Sequence, residues 1–279
     1  MRLATVRHDG QTHAARIEGD EATLLDFPDV GALLNSGAGW HEAAQQAREG
    51  VALPSASLEY APLVLSPSKI ICIGLNYRAH IEEMGETFPT HPTLFAKFSG
   101  ALIGARDPIC MPCVSNKVDW EVELVTVIGA PVRYGDADAA TAAIAGFAVG
   151  NDISMRDFQW RTPQWLQGKT FEASTPIGPH LVTVDETGPW PDREIRCEID
   201  GQVRQRSRTS DLLFGPAELV AYISQIITLM PGDLIFTGTP GGVGSGRKPP
   251  VFLEPGQTVV SAVEGIGATS NLCVQESGG

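Results

Sequence analysis

The sequence lacks an excess of basic residues, an export signal and an apolar run long enough to span a membrane. Its formal net charge is −13 at pH 7 over 279 residues, which argues against a nucleic-acid partner because phosphate binding needs a positively charged face. The first ten residues contain no apolar stretch typical of a secretory signal, and no run approaches the roughly 20 apolar residues that span a bilayer. We therefore predict no nucleic-acid or membrane partner and a cytoplasmic location.

Several catalytic motifs are also missing. The five cysteines are odd in number, which favours a reducing compartment over a disulfide framework. Neither a GxSxG nucleophile motif nor an HExxH zinc motif occurs. The glycine-rich segment 237–246 has P-loop spacing between Gly241 and Gly246, but no Lys-Ser/Thr pair follows. We interpret it as a tight active-site loop with backbone donors.

The composition instead favours short strands and turns. Thirty glycines and twenty prolines are more than a helical protein carries, and they indicate a β-rich fold of the α+β class. The length allows one main domain with a small appendage. We place a small N-terminal α/β domain at residues 1–65 and a catalytic domain at residues 66–279.

The hydrophobic pattern places the main elements. An alternating run at 118–129 predicts one long, half-buried strand. A one-face apolar stripe at Leu219, Tyr222, Ile223 and Ile226 predicts a helix. Strands are predicted at 3–6, 14–17, 69–73, 92–98, 147–153 and 234–240, with further strands and turns in 251–274, and helices at 39–49, 78–84, 136–145 and 216–227.

Acidic residues alternate along the predicted strand that contains Asp119. Because alternate side chains of a strand share a face, Glu121 and Glu123 should point the same way, with Asp119 in line. Another acid, Asp152, ends an apolar segment. If Asp152 were absent, a solvated strand face would be enough to explain the alternating acids Glu121 and Glu123. Three carboxylates without His or Cys, from Glu121, Glu123 and Asp152, make an oxygen-only site suited to Mg²⁺ or Mn²⁺.

His80 and Glu83 form a second candidate pair. If residues 78–84 are helical, the two side chains lie on one face and can hydrogen-bond. A carboxylate that orients an imidazole makes it a better general base toward water. The alternative is a surface histidine beside a solvated acid.

Two lysines, Lys97 and Lys169, interrupt apolar or aromatic surroundings. Each ammonium group either reaches solvent past an apolar stem or serves a buried site. In the second case it would hold a substrate carboxylate or stabilise a developing oxyanion. The residues by themselves leave both interpretations open.

In order along the chain, these pieces resemble the fumarylacetoacetate hydrolase family. The resemblance covers about residues 69–274, and residues 1–65 contribute little to it. Seven segments that follow one another in the family's order are a more specific signal of membership than any single segment. They are GLNYRAHIEEM, PTLFAKF, DWEVELVTVIG, VGNDISMRDFQ, GKTFEASTPIGP, ITLMPGDLIFTGTPGGVG and VEGIG.

The resemblance implies a mixed β-roll or barrel with helices, usually a homodimer. It implies that Glu121, Glu123 and Asp152 bind Mg²⁺ or Mn²⁺, and that His80 and Glu83 activate water while Lys169 assists the substrate oxygens. The implied substrate pocket contains Arg156, Gln159, Lys97, Thr239, Tyr77 and Gly238, with Lys97 beside the metal.

The resemblance also implies a reaction on a small anionic 2-oxo acid. Our first hypothesis is metal-dependent hydrolysis of a C–C bond in a 2,4-dioxo acid, of the acylpyruvate or fumarylpyruvate type, to pyruvate and a carboxylic acid. The metal would act as a Lewis acid on the substrate oxygens. The alternative is a decarboxylase of the oxaloacetate type or an isomerase of a 2-hydroxy-diene dioate, because the family hosts all three reactions on one site.

Overall fold

The computed structural model describes residues 1–46, 51–83, 85 and 87–276. Within these residues the chain forms nineteen strands, eight α-helices and three short 3₁₀ turns. The strands are Arg2–His8 (β1), Gln11–Glu18 (β2), Glu21–Leu24 (β3), Ala52–Pro54 (β4), Glu59–Tyr60 (β5), Ile70–Gly74 (β6), Thr93–Lys97 (β7), Leu102–Ile103 (β8), Ile109–Met111 (β9), Val118–Asp119 (β10), Val122–Ile128 (β11), Ile144–Asn151 (β12), Ser154–Met155 (β13), Thr175–Thr183 (β14), Glu194–Ile199 (β15), Gln202–Arg208 (β16), Leu234–Phe236 (β17), Thr258–Val263 (β18) and Gly267–Gln275 (β19). The helices are Val30–Leu34 (α1), Trp40–Gln46 (α2), Arg78–Glu83 (α3), Ala137–Ala142 (α4), Arg156–Gln159 (α5), Leu166–Lys169 (α6), Val184–Thr187 (α7) and Pro216–Ile226 (α8), and the 3₁₀ turns are Ser55–Ser57, Ser99–Ala101 and Thr209–Asp211.

The strands form three sheets. The largest has twelve strands, with the main order β4-β3-β2-β1-β14-β12-β11-β17-β6-β7. A second sheet of five strands has the order β16-β15-β18-β19-β9, and β10 pairs with β13 in a third. Most neighbours are antiparallel, but β17 and β6 run parallel. The predicted β-rich α+β fold is confirmed.

The centre of the large sheet differs from the predicted half-buried strand. Every residue of β11 is buried, because core clusters cover both faces of the sheet. Val122 and Leu124 belong to one cluster, and Val125 and Val127 belong to the other. The predicted single strand is also broken, since β10 ends at Asp119 and β11 begins at Val122. The prediction of one half-buried strand was therefore wrong.

The predicted helices are present with shifted ends. Helix α2 covers the first part of the helix predicted at 39–49, and residues 47–50 lie outside the described residues. Helix α4 ends at Ala142, so Ala145 lies in β12 instead. In α8 the predicted stripe is only partly correct, because Ile226 is 58% exposed. None of the described helices is long and apolar enough to cross a membrane.

The first 65 residues add strands to the large sheet. Strand β1 pairs with β14, with Leu3 opposite Leu181. Leu3 and Ala14 lie in the same core cluster as Val125 and Ala148. The segment therefore shares both a sheet and a core with the rest of the chain. Whether it folds as a separate domain stays a prediction.

Candidate active site

The three acids predicted to bind metal meet where β11 begins and β12 ends. The two strands are antiparallel, with Val122 opposite Asn151. The Glu121 N–H donates to the Asn151 side-chain oxygen (2.8 Å), and the Asp152 N–H donates to the Glu121 carbonyl (2.8 Å). One carboxylate oxygen from each of Glu121, Glu123 and Asp152 lies within 4.8 Å of the other two. Strand pairing therefore assembles the predicted triad.

Two lysines contact this triad directly. The Lys97 ammonium, at the end of β7, donates to Asp152 Oδ1. The Lys169 ammonium, at the end of α6, donates to Glu121 Oε2 (2.7 Å) and Asp152 Oδ2 (2.9 Å). Both lysines are buried. The open question from the sequence is settled, because neither ammonium group reaches bulk solvent.

Arg156 supplies a third cation from α5. Its Nη2 lies 2.6 Å from Glu121 Oε1, and its Nη1 donates to Gln159 Oε1 (2.8 Å), one turn along the same helix. Helices α5 and α6 approach closely because Gly168 has no side chain: a Cβ there would lie 2.4 Å from the Gln159 backbone nitrogen. This close packing brings Lys169 and Gln159 to the same site.

The buried charges change one another's protonation. Burial, with the negative charges of Asp152 and Glu121, raises the pKa of Glu123 well above its usual value. Burial also opposes ionisation of Asp152, but Lys169 and Lys97 outweigh it and lower its pKa. The pKa of Lys169 is raised, because Asp152 and Glu121 outweigh the effect of burial on the ammonium group. Asp152 and Lys169 are therefore held charged as a pair.

The residues fit a hard divalent cation. The donor set consists of three buried carboxylates, and oxygen ligands are those that Mg²⁺ and Mn²⁺ prefer. A cation would also favour the ionised form of Glu123, which burial and its neighbours now oppose. Glu121, Glu123 and Asp152 are the side chains that would hold it.

One acid of the triad, Glu121, lines a cavity of about 340 Å³. It combines cationic and polar side chains with an aromatic wall. Trp165 packs edge-on against Phe95, with ring centroids 5.5 Å apart, and a Cβ at Gly74 would lie 2.3 Å from the Trp165 ring. Six predicted site residues line this cavity, namely His80, Glu121, Arg156, Gln159, Lys169 and Thr239.

Three other predicted pocket residues lie behind the cavity wall. Lys97 contacts Asp152 from the buried side. Gly238 donates its backbone N–H to Glu123 Oε2 (2.7 Å) and so holds a triad acid. Tyr77 is completely buried, and its hydroxyl has no hydrogen-bond partner among the described residues. Lys97 therefore lies beside the predicted metal-binding acids, as expected, and none of the three residues is among those that line the cavity. Their roles in substrate binding stay predictions.

The structure describes only one of the two side chains in the predicted His80–Glu83 pair. His80 lies on α3 and lines the cavity. The side chain of Glu83 lies outside the described residues. The pairing of these two side chains therefore stays a prediction.

Sequence reasoning missed several residues of the site. Trp160 and Trp165 line the cavity, and the only available signal was two of the chain's five tryptophans lying close together. Ser245 also lines it, within the predicted active-site loop. Asp119, predicted to lie in line with the triad acids, instead contacts Arg156, with 2.8 Å between Oδ2 and Nε.

Known proteins resemble this chain over most of its length. The model of the fumarylacetoacetate (FAA) hydrolase C-terminal family matches residues 69–274. A mitochondrial oxaloacetate tautomerase of Bos taurus is 43% identical over 224 residues, which cover 80% of this chain and 71% of that protein. A 5-carboxymethyl-2-hydroxymuconate delta-isomerase structure from Mycobacterium smegmatis is 37% identical, covers 100% of both chains and has a TM-score of 0.81. A fumarylacetoacetate hydrolase structure from Exiguobacterium antarcticum is 28% identical, covers 99% of this chain and 100% of that one, and has a TM-score of 0.89.

Proposed function

Because the chain belongs to the fumarylacetoacetate hydrolase family, whose members are enzymes, we propose that it enolises a small 2-oxo dicarboxylate. The similar proteins carry the names of a tautomerase, an isomerase and a hydrolase. Stabilising negative charge on the 2-oxo oxygen is useful in all three reactions. Keto–enol exchange of an oxaloacetate-type acid needs this stabilisation and proton transfers at C3 and at the oxygen, but no bond cleavage between carbon atoms, so it is our first candidate.

One observation carries the proposal: a charged lysine held at the cavity wall. Lys169 lines the cavity, and its ammonium group bridges Glu121 and Asp152. Those two acids raise its pKa, so the charge is present before substrate binds. A fixed charge in a water-poor site stabilises a developing oxyanion without reorganisation.

The other cavity residues take complementary roles. Arg156, whose pKa is raised because Glu121 and Asp119 outweigh burial, offers a permanent positive charge to a substrate carboxylate. To His80, which lines the cavity, we assign the role of accepting the C3 proton as the C3–H electron pair forms the C2–C3 double bond. The 2-oxo group then becomes an enolate oxygen facing Lys169, and a proton returned to that oxygen gives the enol. A divalent cation at the triad would supply Lewis-acid polarisation of the 2-oxo group.

Hydrolysis of an acylpyruvate is the second candidate. The observation in its favour is that His80, the predicted water-activating base, lines the same cavity. The enolising site would then release pyruvate after water attacks the distal carbonyl. Trp160 and Trp165, which line the cavity, offer this distal group an apolar surface.

The test compares the two reactions on one preparation. Enol oxaloacetate is followed by its loss of ultraviolet absorbance, and pyruvate by coupled reduction, with Mg²⁺, Mn²⁺ or EDTA present. We expect metal-dependent loss of the enol without pyruvate, and loss of that activity in Lys169→Met. Acetylpyruvate and fumarylpyruvate are assayed in parallel, with His80→Ala, and with His8→Ala on β1 as the matched control.

The outcomes separate the candidates. Pyruvate from an acylpyruvate that disappears in His80→Ala but not in His8→Ala would replace the first candidate with the second. Pyruvate from oxaloacetate itself would identify the decarboxylase alternative. A preparation that acts on none of these acids with either metal would contradict the proposed substrate class.

We also propose a homodimer in a reducing compartment such as the cytoplasm. All five cysteines are free thiols, which supports the compartment. The dimer rests on the family resemblance. Sedimentation of the purified chain would test it, and a monomer at micromolar concentration would contradict it.

A further inference from the structure

Asp119 is a buried acid that the proposed reaction does not use. It is completely buried and stands outside the three-acid cluster. Its carboxylate nevertheless accepts four hydrogen bonds. The donors are Trp120 N (2.9 Å) and Gly244 N (2.7 Å) to Oδ1, and Arg156 Nε (2.8 Å) and Ser245 N (2.9 Å) to Oδ2. A carboxylate with four donors is a fixed anchor and not a group awaiting a ligand.

Two of these donors belong to the glycine-rich loop. Val243, Ser245 and Gly246 line the catalytic cavity, so the loop forms one of its walls. Gly244 is needed for the close approach, because a Cβ there would lie 1.9 Å from the Val251 carbonyl oxygen and 2.8 Å from Asp119 Oδ1. The backbone donors expected of this loop therefore point at Asp119.

The third donor, Arg156, also contacts one of the proposed metal ligands. The guanidinium of Arg156 contacts Asp119 through Nε and Glu121 Oε1 through Nη2, the latter at 2.6 Å. Because a guanidinium is planar and rigid, fixing its Nε fixes the direction of its Nη2. Asp119 thus determines where Arg156 holds Glu121.

We propose that Asp119 is a positioning residue that couples the glycine-rich loop to the metal ligand Glu121 through Arg156. A change in the order of the glycine-rich loop should then change the orientation of Glu121, and the reverse. The inference rests on the proposed function only in assigning a metal to the triad, and it is independent of which 2-oxo acid reacts.

The test is Asp119→Asn, which keeps the size but turns one acceptor oxygen into a donor that faces N–H groups. We expect the affinity of the enzyme for Mn²⁺ alone, measured by calorimetry, to fall about 10- to 100-fold, as for other residues that orient metal ligands. Hydrogen exchange at the Gly244 and Ser245 amides should accelerate in the same variant. Unchanged Mn²⁺ affinity with unchanged loop exchange would overturn the proposal.

A matched control separates positioning from simple structural support. Asp233 is also completely buried, and it accepts bonds from Ser68 Oγ (2.6 Å), Lys69 N (2.9 Å) and Met230 N (2.7 Å). Asp233→Asn should lower the melting temperature and leave Mn²⁺ affinity and loop exchange unchanged. A fall in Mn²⁺ affinity equal to that of Asp119→Asn would show general destabilisation and overturn the proposal.

A second variant tests the same coupling by changing the loop instead of Asp119. Gly244→Ala must displace the loop from Asp119 without touching any acid of the triad. We expect weaker Mn²⁺ binding here too, and this readout remains if Asp119→Asn fails to fold. Wild-type Mn²⁺ affinity in a folded Gly244→Ala protein with a displaced loop would show that the loop and Glu121 are independent.

Discussion

Ion pairs occur in two contrasting regions of this protein. Beside the three clustered acids, Lys97 and Asp152 meet with fully buried side chains. On the hairpin of β15 and β16, Arg206 and Glu194 meet at 2.6 Å, but their side chains are 66% and 27% exposed. Water already solvates the hairpin charges, so pairing adds little. Around the buried acids each charge depends on its partners, because removing one of them leaves a buried charge with less compensation. The same type of ion pair is therefore expected to contribute strongly to stability in the buried region and weakly on the hairpin.

The largest effect should follow from breaking a buried pair. Lys97→Met leaves Asp152 with Lys169 as its remaining lysine partner. Because Lys169 still compensates Asp152 in part, we expect a loss of up to about 3–5 kcal/mol in the free energy of unfolding, measured with urea in EDTA. Lys69→Met is the control, since Lys69 pairs with Asp233 at 2.8 Å but is 19% exposed. Equal losses in the two variants would contradict the distinction drawn from burial.

A divalent cation should affect the buried region selectively. Because a ligand that binds only the folded state stabilises it, Mn²⁺ at 100 times its Kd should add about 2.7 kcal/mol. Glu123→Gln should remove this gain, and Arg206→Ala should retain it. The measurement is the urea midpoint with and without Mn²⁺. A gain that survives Glu123→Gln would place the metal elsewhere.

His180, a half-buried side chain that favours its neutral form, offers a test by pH. Burial, assisted by the positive charge of Arg2, lowers the pKa of His180 from 6.5 to about 4. Because protonation is harder in the folded state, the contribution is fully present above about pH 6.5 and is lost as the pH falls toward 4. The cost by then is about 2–3 kcal/mol.

The difference in unfolding free energy between wild type and His180→Gln isolates this effect from the acids. We expect it to shift in favour of the variant between pH 7 and pH 4.5. His8→Ala, on β1, serves as the matched control. A constant difference across this range would show that His180 titrates normally.

The smallest effect should come from the hairpin. Arg206→Ala removes two hydrogen bonds to Glu194 Oε2. We expect a loss of at most about 1 kcal/mol, reduced further in 1 M NaCl because salt screens exposed charges. The free energy of unfolding in urea at low and high salt tests this. A loss as large as that of Lys97→Met would remove the contrast between the regions.

The sequence predicted much of the site and less of its surroundings. Glu121, Glu123 and Asp152 do cluster, and Lys169, Arg156 and His80 reach the same cavity. The alternation of acids was informative because strand periodicity is local. The two-sided burial of β11 was missed, because it depends on which segments cover each face. The exposure of Ile226 was missed for the same reason.

The type of metal site and the family of the fold could be predicted from the residues alone. Acids without histidine or cysteine ligands define a hard oxygen site, because ligand preference belongs to the residue type. Which of these acids meet depends on long-range packing. The break after β10 separates Asp119 from Glu121, and pairing with β12 brings Asp152 into the site. The physical reason is that long-range strand pairing and burial arise when distant segments pack, and no local pattern encodes the partner.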